Sequence, residues 1–309
     1  MRSDKDFYVE LVRTMLQGRG LIAHPLNHLN IENFWSPRSQ FHSILTAITA
    51  ADLQLDCFEL CNFAQYSQTA FFAPTTSILR HMVDHSNFQT LVKLALDLDF
   101  SVQNNYRGSV EALVQLLQNN PHLKYLVLNL LPGHRFPMSQ VEHGEACTPL
   151  LACLGSSPLF SLRGLCLCGL CAAGNMTLDR VVRAHKDTLD TLVLDTMIFD
   201  LPTRIPTLIS RLLDTQLELL ILREIVVNHR NMIQPWKPIL RPWLEKDLLW
   251  TAKEDDSYKD WIEVKVEYAD GDEGIHYDFR GQADGKKKMK KVLADLIVQS
   301  NCSGLDFVP

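Results

Sequence analysis

The chain has 309 residues, 46% hydrophobic and 21% charged, with a net charge of −6 and a pI of about 6.0. That balance suits a folded domain with a sizeable core, excludes a disordered polyelectrolyte, and argues against a nucleic-acid binder, whose footprint is basic. No apolar run approaches the ~18 residues of a membrane helix. The first fifteen residues lack the apolar centre of a signal peptide, so the eight cysteines are expected as free thiols in the reducing cytoplasm or nucleus.

In chain order, helix-like and strand-like stretches alternate. Phe7, Leu11 and Met15, with Val12 and Leu16, stand at i, i+4 spacing and predict a helix. "LNHLNI" follows from Leu26, with apolar residues at offsets 0, 3 and 5. Ser36-Pro37 caps a second helix, which leads to "LDCFEL" at Leu55, and "LVKLAL" starts at Leu91. "SVEALVQLLQNN" puts Val110, Leu113, Val114 and Leu117 on one helical face and stops before Pro121, ahead of "LKYLVL" at Leu123. "HGE" at 143–145 reads as part of an irregular surface insertion. "LRGLCL" at Leu162 and "LDTLVL" at Leu189 flank the helix "TLDRVVRAHKDT", and "TRIPTLISRLLDT" precedes "LELLIL" at Leu217.

Seven copies therefore start at 26, 55, 91, 123, 162, 189 and 217, spaced 29, 36, 32, 39, 27 and 28 residues apart. L-x-x-L-x-L at this period is the signature of leucine-rich repeats. No single unit can bury its apolar face, but a stack can. The expected fold is α/β, an irregular leucine-rich-repeat-like solenoid with a parallel sheet on its concave face. Its strands are expected at roughly 26–31, 55–60, 91–96, 123–128, 162–167, 189–194 and 217–222, with residues 1–250 as the solenoid and its cap.

A strand alternates its side chains, so offsets 2, 4 and 6 face away from the leucines at 3 and 5. In the middle copies this surface carries Lys93, Asp97, Tyr125, Val127 and Asn129. In the later copies it carries Cys166, Cys168, Val193, Asp195, Leu219, Ile221 and Arg223. The apolar members Val127, Val193, Leu219 and Ile221 are the expected anchors for a protein partner, with Asp97, Asp195 and Arg223 setting orientation. "CLCGLC" invites a metal reading. Structural zinc wants four closed ligands, and here only Cys171 stands near the pair, beyond the strand end. The expectation is cysteine used as a small, near-apolar strand residue, with no metal and no cofactor.

The remaining stretch, 251–309, reads as a charged linker, a hairpin and a basic helix. "WIEVKVEY" alternates Ile262, Val264 and Val266 against Glu263, Lys265 and Glu267, and "IHYDFR" is its expected return strand. Trp236, Trp243 and Trp250 are expected to cap the last repeat, and the lysines at 286–291 to form a solvated face beside Val292, Leu293, Leu296 and Ile297. No nucleophile elbow, phosphate loop, zinc-protease helix or dinucleotide fingerprint is present, so no enzyme is expected.

The phrases "LLQNNPHLKYLVLNLL" and "LRGLCLCGL…TLDRVVRAHKDTLDTLVLDTM" resemble fungal F-box proteins with irregular leucine-rich repeats. The resemblance spans about residues 5–250. It implies a substrate receptor of a cullin-type ubiquitin ligase, whose F-box grips a Skp-type adaptor while the repeats hold the substrate. The first repeat helix begins near Asp6, which leaves no room for an F-box upstream in this chain. The expectation is therefore a monomeric interaction scaffold for a protein partner, with a Skp-type adaptor only if an F-box precedes Met1.

Overall fold

Leucines at offsets 0, 3 and 5 cannot all share one face of a strand, because the side-chain period is two. Offsets 3 and 5 agree in parity and offset 0 does not. A computed structural model of the chain shows how each repeat resolves this. It describes residues 28–32, 45–50, 52–61, 76–97, 106–130, 140–156, 161–172, 177–195, 197–199, 204–223, 225–229, 232–235, 261–268 and 275–282. The expected tryptophan cap and the lysine cluster at 286–291 lie outside these residues.

The chain divides into two compact units, one comprising Met1–Pro137 with Leu159–Ser161, the other Met138–Pro158 with Leu162–Pro309. The first unit carries four strands: β1 (His28–Glu32), β2 (Cys57–Cys61), β3 (Lys93–Asp97) and β4 (Tyr125–Asn129). They pair in that order, all parallel. Its helices include residues 45–50, α1 (Thr76–Asp84) and α2 (Tyr106–Gln118). The buried face of α2 is turned slightly from the expected one: Val114 is half-buried, while Leu113, Leu116 and Leu117 are fully buried.

The second unit begins with α3 (Gln140–Gly155), so the expected irregular loop at 143–145 is helical. The weak amphipathic pattern there, with Gly144 and Pro149, hid the helix from a reading based on periodicity. Then come β5 (Gly164–Cys168), β6 (Cys171–Ala172), α4 (Thr177–Ala184), β7 (Thr191–Asp195), β8 (Ile198–Phe199), α5 (Arg204–Leu212) and β9 (Leu219–Arg223). β5, β7 and β9 pair in parallel, residue for residue. The unit ends with β10 (Val226–His229), β11 (Met232–Pro235), β12 (Trp261–Tyr268) and β13 (Ile275–Gln282). β12 and β13 form the expected antiparallel hairpin, and β13 adds antiparallel to β9. The pairs Cys171–Ala172, Ile198–Phe199 and Val226–Val227 build a second, parallel set of short strands, β6, β8 and β10, closed by the β10–β11 hairpin. The architecture is thus α/β with mostly parallel sheets.

Every long parallel strand starts two residues later than expected. In the copies starting at 55, 91, 123, 189 and 217 the leucine at offset 0 belongs to the turn before the strand, and its N–H is committed elsewhere. Leu91 N–H donates to Asn120 Oδ1 at 2.9 Å, Leu189 N–H to the His185 carbonyl at 2.8 Å, and Leu55 N–H to the Asn87 carbonyl at 3.0 Å. Its side chain still reaches the core: Leu55, Leu91, Leu123, Leu162, Leu189 and Leu217 are all buried beside the leucines at offsets 3 and 5.

In four of the repeats one carbonyl then sets the register. The offset-1 carbonyl accepts two N–H groups from the next strand, at offsets 1 and 2. Asp56 accepts from Val92 and Lys93 at 2.7 and 3.0 Å, and Val92 from Lys124 and Tyr125 at 2.8 and 3.1 Å. In the second unit Arg163 accepts from Asp190 and Thr191 at 2.9 and 3.0 Å, and Asp190 from Glu218 and Leu219 at 2.7 and 3.0 Å. Threonine at offset −1 adds a side-chain rung: Thr90 donates to the Leu55 carbonyl at 3.1 Å and Thr188 to that of Leu162 at 2.8 Å.

Polar residues at helix ends tie successive repeats together. Asn120 is fully buried; besides accepting from Leu91, it donates to the Leu116 carbonyl at 2.7 Å. Asn87 donates to the Leu53 carbonyl at 2.8 Å. His185, 3% exposed, bonds the Leu154 carbonyl at 2.9 Å, and Asp179 on α4 pairs with Arg211 on α5 at 3.6 Å. Gly155 lets α3 approach α4, since a Cβ there would stand 3.0 Å from Arg180 Cβ.

Two consequences can be measured. Asn120→Ala leaves the Leu91 N–H buried without its acceptor, so urea unfolding should show a loss of about 1–3 kcal/mol; an unchanged midpoint would contradict this role. Burial pushes the His185 imidazole below its ordinary pKa, against the opposing pull of the Leu154 hydrogen bond. The unfolded chain takes up this proton near pH 6.5, before the folded chain does. Stability is therefore full above that pH and falls as pH drops through the folded pKa. Thermal melts should show a smaller acid loss for His185→Gln than for wild type.

Candidate functional site

The strands place their offset-2, -4 and -6 residues opposite the buried leucines. Offsets 3 and 5 hold Phe58, Leu60, Leu94, Leu96, Leu126 and Leu128 in the first unit, and Leu165, Leu167, Leu192, Leu194, Leu220 and Leu222 in the second, all buried. The other face is mostly half-buried or exposed, with Cys57, Ala95 and Gly164 buried.

In the first unit Cys57, Lys93 and Tyr125 are register neighbours, as are Glu59, Ala95 and Val127. Tyr125 is 38% exposed, the one exposed large apolar side chain among the described residues. Lys93, Val127 and Asn129 are half-buried. Asp97 holds the register position facing Asn129, and its side chain lies outside the described residues. Lys93 forms an ion pair with Glu59, which also accepts a hydrogen bond from the Cys57 thiol at 3.5 Å. Burial, with the Glu59 carboxylate and this hydrogen bond, pushes the Cys57 thiol up to about 11 against the opposing charge of Lys93. The cluster holds a protonated, unreactive thiol beside a neutralised carboxylate. Offsets 2 and 4 of the copy at Leu55 put Cys57 and Glu59 on one face, but the pairing of Glu59 with Lys93 needed the cross-strand register.

In the second unit Cys166, Val193 and Ile221 form one register row. Gly164, Thr191 and Leu219 form the row before it, and Cys168, Asp195 and Arg223 the row after. Cys166, Cys168, Val193, Asp195, Leu219 and Ile221 are all half-buried; the side chain of Arg223 lies outside the described residues. The expected candidates of these three strands are therefore brought together as one patch, with an aliphatic centre at Val193, Ile221 and Leu219. β13 extends it, setting Arg280 opposite Ile221 and Gln282 opposite Leu219. Neither was singled out from the sequence, because a hairpin's pairing partner across a long separation leaves no local signal.

The third cysteine leaves this patch. Gly169 turns the chain at φ 72°, and its N–H donates to the Asp195 carbonyl at 3.0 Å. Cys171 follows in β6, 2% exposed, where its backbone hydrogen-bonds the Cys147 thiol. Burial pushes Cys147 up to about 12 and Cys153 up to about 11. Among the described residues, no group of three His, Cys, Asp or Glu side chains could hold a metal ion, and no helix is long and apolar enough to cross a membrane.

Comparison of the chain with protein-family models, curated proteins and solved structures finds no match.

Thiol chemistry offers a direct check on these placements. Thiolates, not thiols, attack alkylating reagents, so access and pKa both set the order of labelling. In native protein at pH 8, N-ethylmaleimide mapped by mass spectrometry should reach Cys166 and Cys168 before Cys57, Cys147, Cys153 and Cys171. Labelling of Cys147 ahead of the pair would contradict the burial described.

Proposed function

We propose that the chain is a protein-interaction module built of irregular leucine-rich repeats, which uses the face opposite its buried leucines to hold a protein partner. The observation that carries this reading is the patch on β5, β7 and β9. Val193, Leu219 and Ile221 remain partly exposed, although each alternates with a fully buried leucine. Side chains held in register on a rigid sheet lose little freedom on binding, which favours recognition. Burying an aliphatic residue of this size stabilises by roughly 1.5–3 kcal/mol. Asp195 beside Cys168 and Arg223 supplies polarity at the margin, where charges set orientation and rate more than affinity. Lys93, Tyr125, Val127 and Asn129 present a second, more polar surface on the first unit, with Asp97 in register beside them.

The resemblance of the repeat phrases to fungal F-box proteins supports a second reading, in which the same patch holds the substrate of a cullin-type ubiquitin ligase. The absence of any recognisable catalytic motif in the sequence favours a scaffold over an enzyme.

A comparative affinity capture tests both readings. Wild-type chain and a Val193→Asp/Ile221→Asp double variant, shown to be folded by circular dichroism, are used as baits in extract from the source organism. Two buried carboxylates in an apolar contact should weaken a genuine complex by more than about a hundredfold, so partners on this face should vanish from the variant. Recovery of identical partners at equal yield would end the proposal for this face. Co-purification of a Skp-type adaptor with both baits would favour the ligase reading.

A further inference from the structure

We propose that Cys166 and Cys168 form a two-coordinate binding site for a monovalent soft metal ion, with copper(I) as the biological candidate. The inference does not rest on the protein-binding reading, although both cysteines lie in the same patch. Both cysteines lie half-buried on one face of β5, two residues apart. Successive same-face positions on a strand are about 7 Å apart. A disulfide needs its two Cβ atoms only about 3.8 Å apart. β5 is paired residue for residue with β7 from Gly164 to Cys168, so it could draw the two cysteines that close only by breaking this ladder. The pair is thereby protected from closing on itself.

A metal bridge spans a wider gap. Two sulfurs each roughly 2.3 Å from an ion between them stand about 4.6 Å apart. Rotation about each Cα–Cβ bond can bring the two sulfurs closer than their Cβ atoms while the backbone stays in place.

The donor count selects the ion. The turn at Gly169 takes Cys171 into β6, where it is 2% exposed against Cys147, so it is withdrawn from the pair. The described residues include no cluster of three His, Cys, Asp or Glu that would build toward a closed four-ligand zinc site here. Two thiolates alone suit a soft ion that is content with two ligands, and thiolate donors select copper(I). Val193 stands opposite Cys166 as an apolar neighbour, and Asp195 stands opposite Cys168, so selection for a soft ion rests on the two thiolates themselves. On binding, each thiol loses its proton and each sulfur donates one electron pair to the ion. The product is a bis-thiolate complex of charge −1 with two protons released, and no oxidation state changes.

The full-length chain is titrated anaerobically with the copper(I) complex of bicinchoninate, whose colour fades as copper is withdrawn. The expected result is one copper(I) taken per chain. Cys166→Ser and Cys168→Ser should each weaken uptake by more than about a hundredfold, beyond the loss caused by removing a merely supporting group. Cys153→Ala, at a buried thiol away from the pair, should leave uptake unchanged. X-ray absorption of the loaded wild-type protein supplies a readout that does not depend on variants folding, and should find two sulfur neighbours. No uptake by wild-type protein, uptake by either serine variant equal to that of wild type, or three or more sulfurs at the ion would each overturn the proposal.

Discussion

The carbonyl at offset 1 is the point on which the rest of the structure depends. In four repeats it accepts two N–H groups from the following strand, and the two bonds together leave one register available. A slip of one residue would exchange the two faces of a strand and put its leucines in water. Because each clamp hands the register to the next strand, Cys57, Lys93 and Tyr125 fall in one row in the first unit, and Cys166, Val193 and Ile221 in another row in the second. The chemistry of both faces follows from this alignment. Glu59 can meet Lys93 only because their two strands are held level, and it meets Cys57 two residues away along its own strand.

Polar residues in the turns make such clamps affordable. A chain of parallel strands returns through a helix each time, and each return exposes helix-end carbonyls and turn N–H groups that must find partners in the interior. Asn87, Asn120, Thr90, His185 and Thr188 supply them, each bonding backbone of the neighbouring repeat. These side chains look unremarkable in composition, yet they occupy the places where an apolar residue would strand a backbone group. His185 carries the added consequence of acid sensitivity, because the environment that welcomes its neutral form resists its charged one.

The cysteines illustrate how one residue type divides by position. Cys147 and Cys153 on α3 and Cys171 on β6 act as small core residues, and burial keeps the α3 thiols protonated. Cys57 is buried beside a carboxylate that disfavours its thiolate further. Among the described cysteine side chains, Cys166 and Cys168 are the two that share one strand face with partial exposure. A single glycine with positive φ separates this pair from the third cysteine of the same hexapeptide.

The repeat, its helix–strand alternation and the face each strand residue takes were legible in the sequence, because they are periodic and local. Offsets 3 and 5 named the buried leucines, and the "WIEVKVEY" and "IHYDFR" stretches named a hairpin that β12 and β13 form. The strand starts were misplaced by two residues, since an apolar leucine in a turn looks like one in a strand until the partner of its N–H is known. The helix at 140–155 and the second set of short strands were missed for related reasons: one has a weak apolar period, and β6 and β8 are two residues long. Where β13 lands, which side chains meet across strands, and which cysteines stay accessible were decided by the tertiary structure alone, because they depend on hydrogen bonds between segments far apart in the chain, which no local pattern encodes.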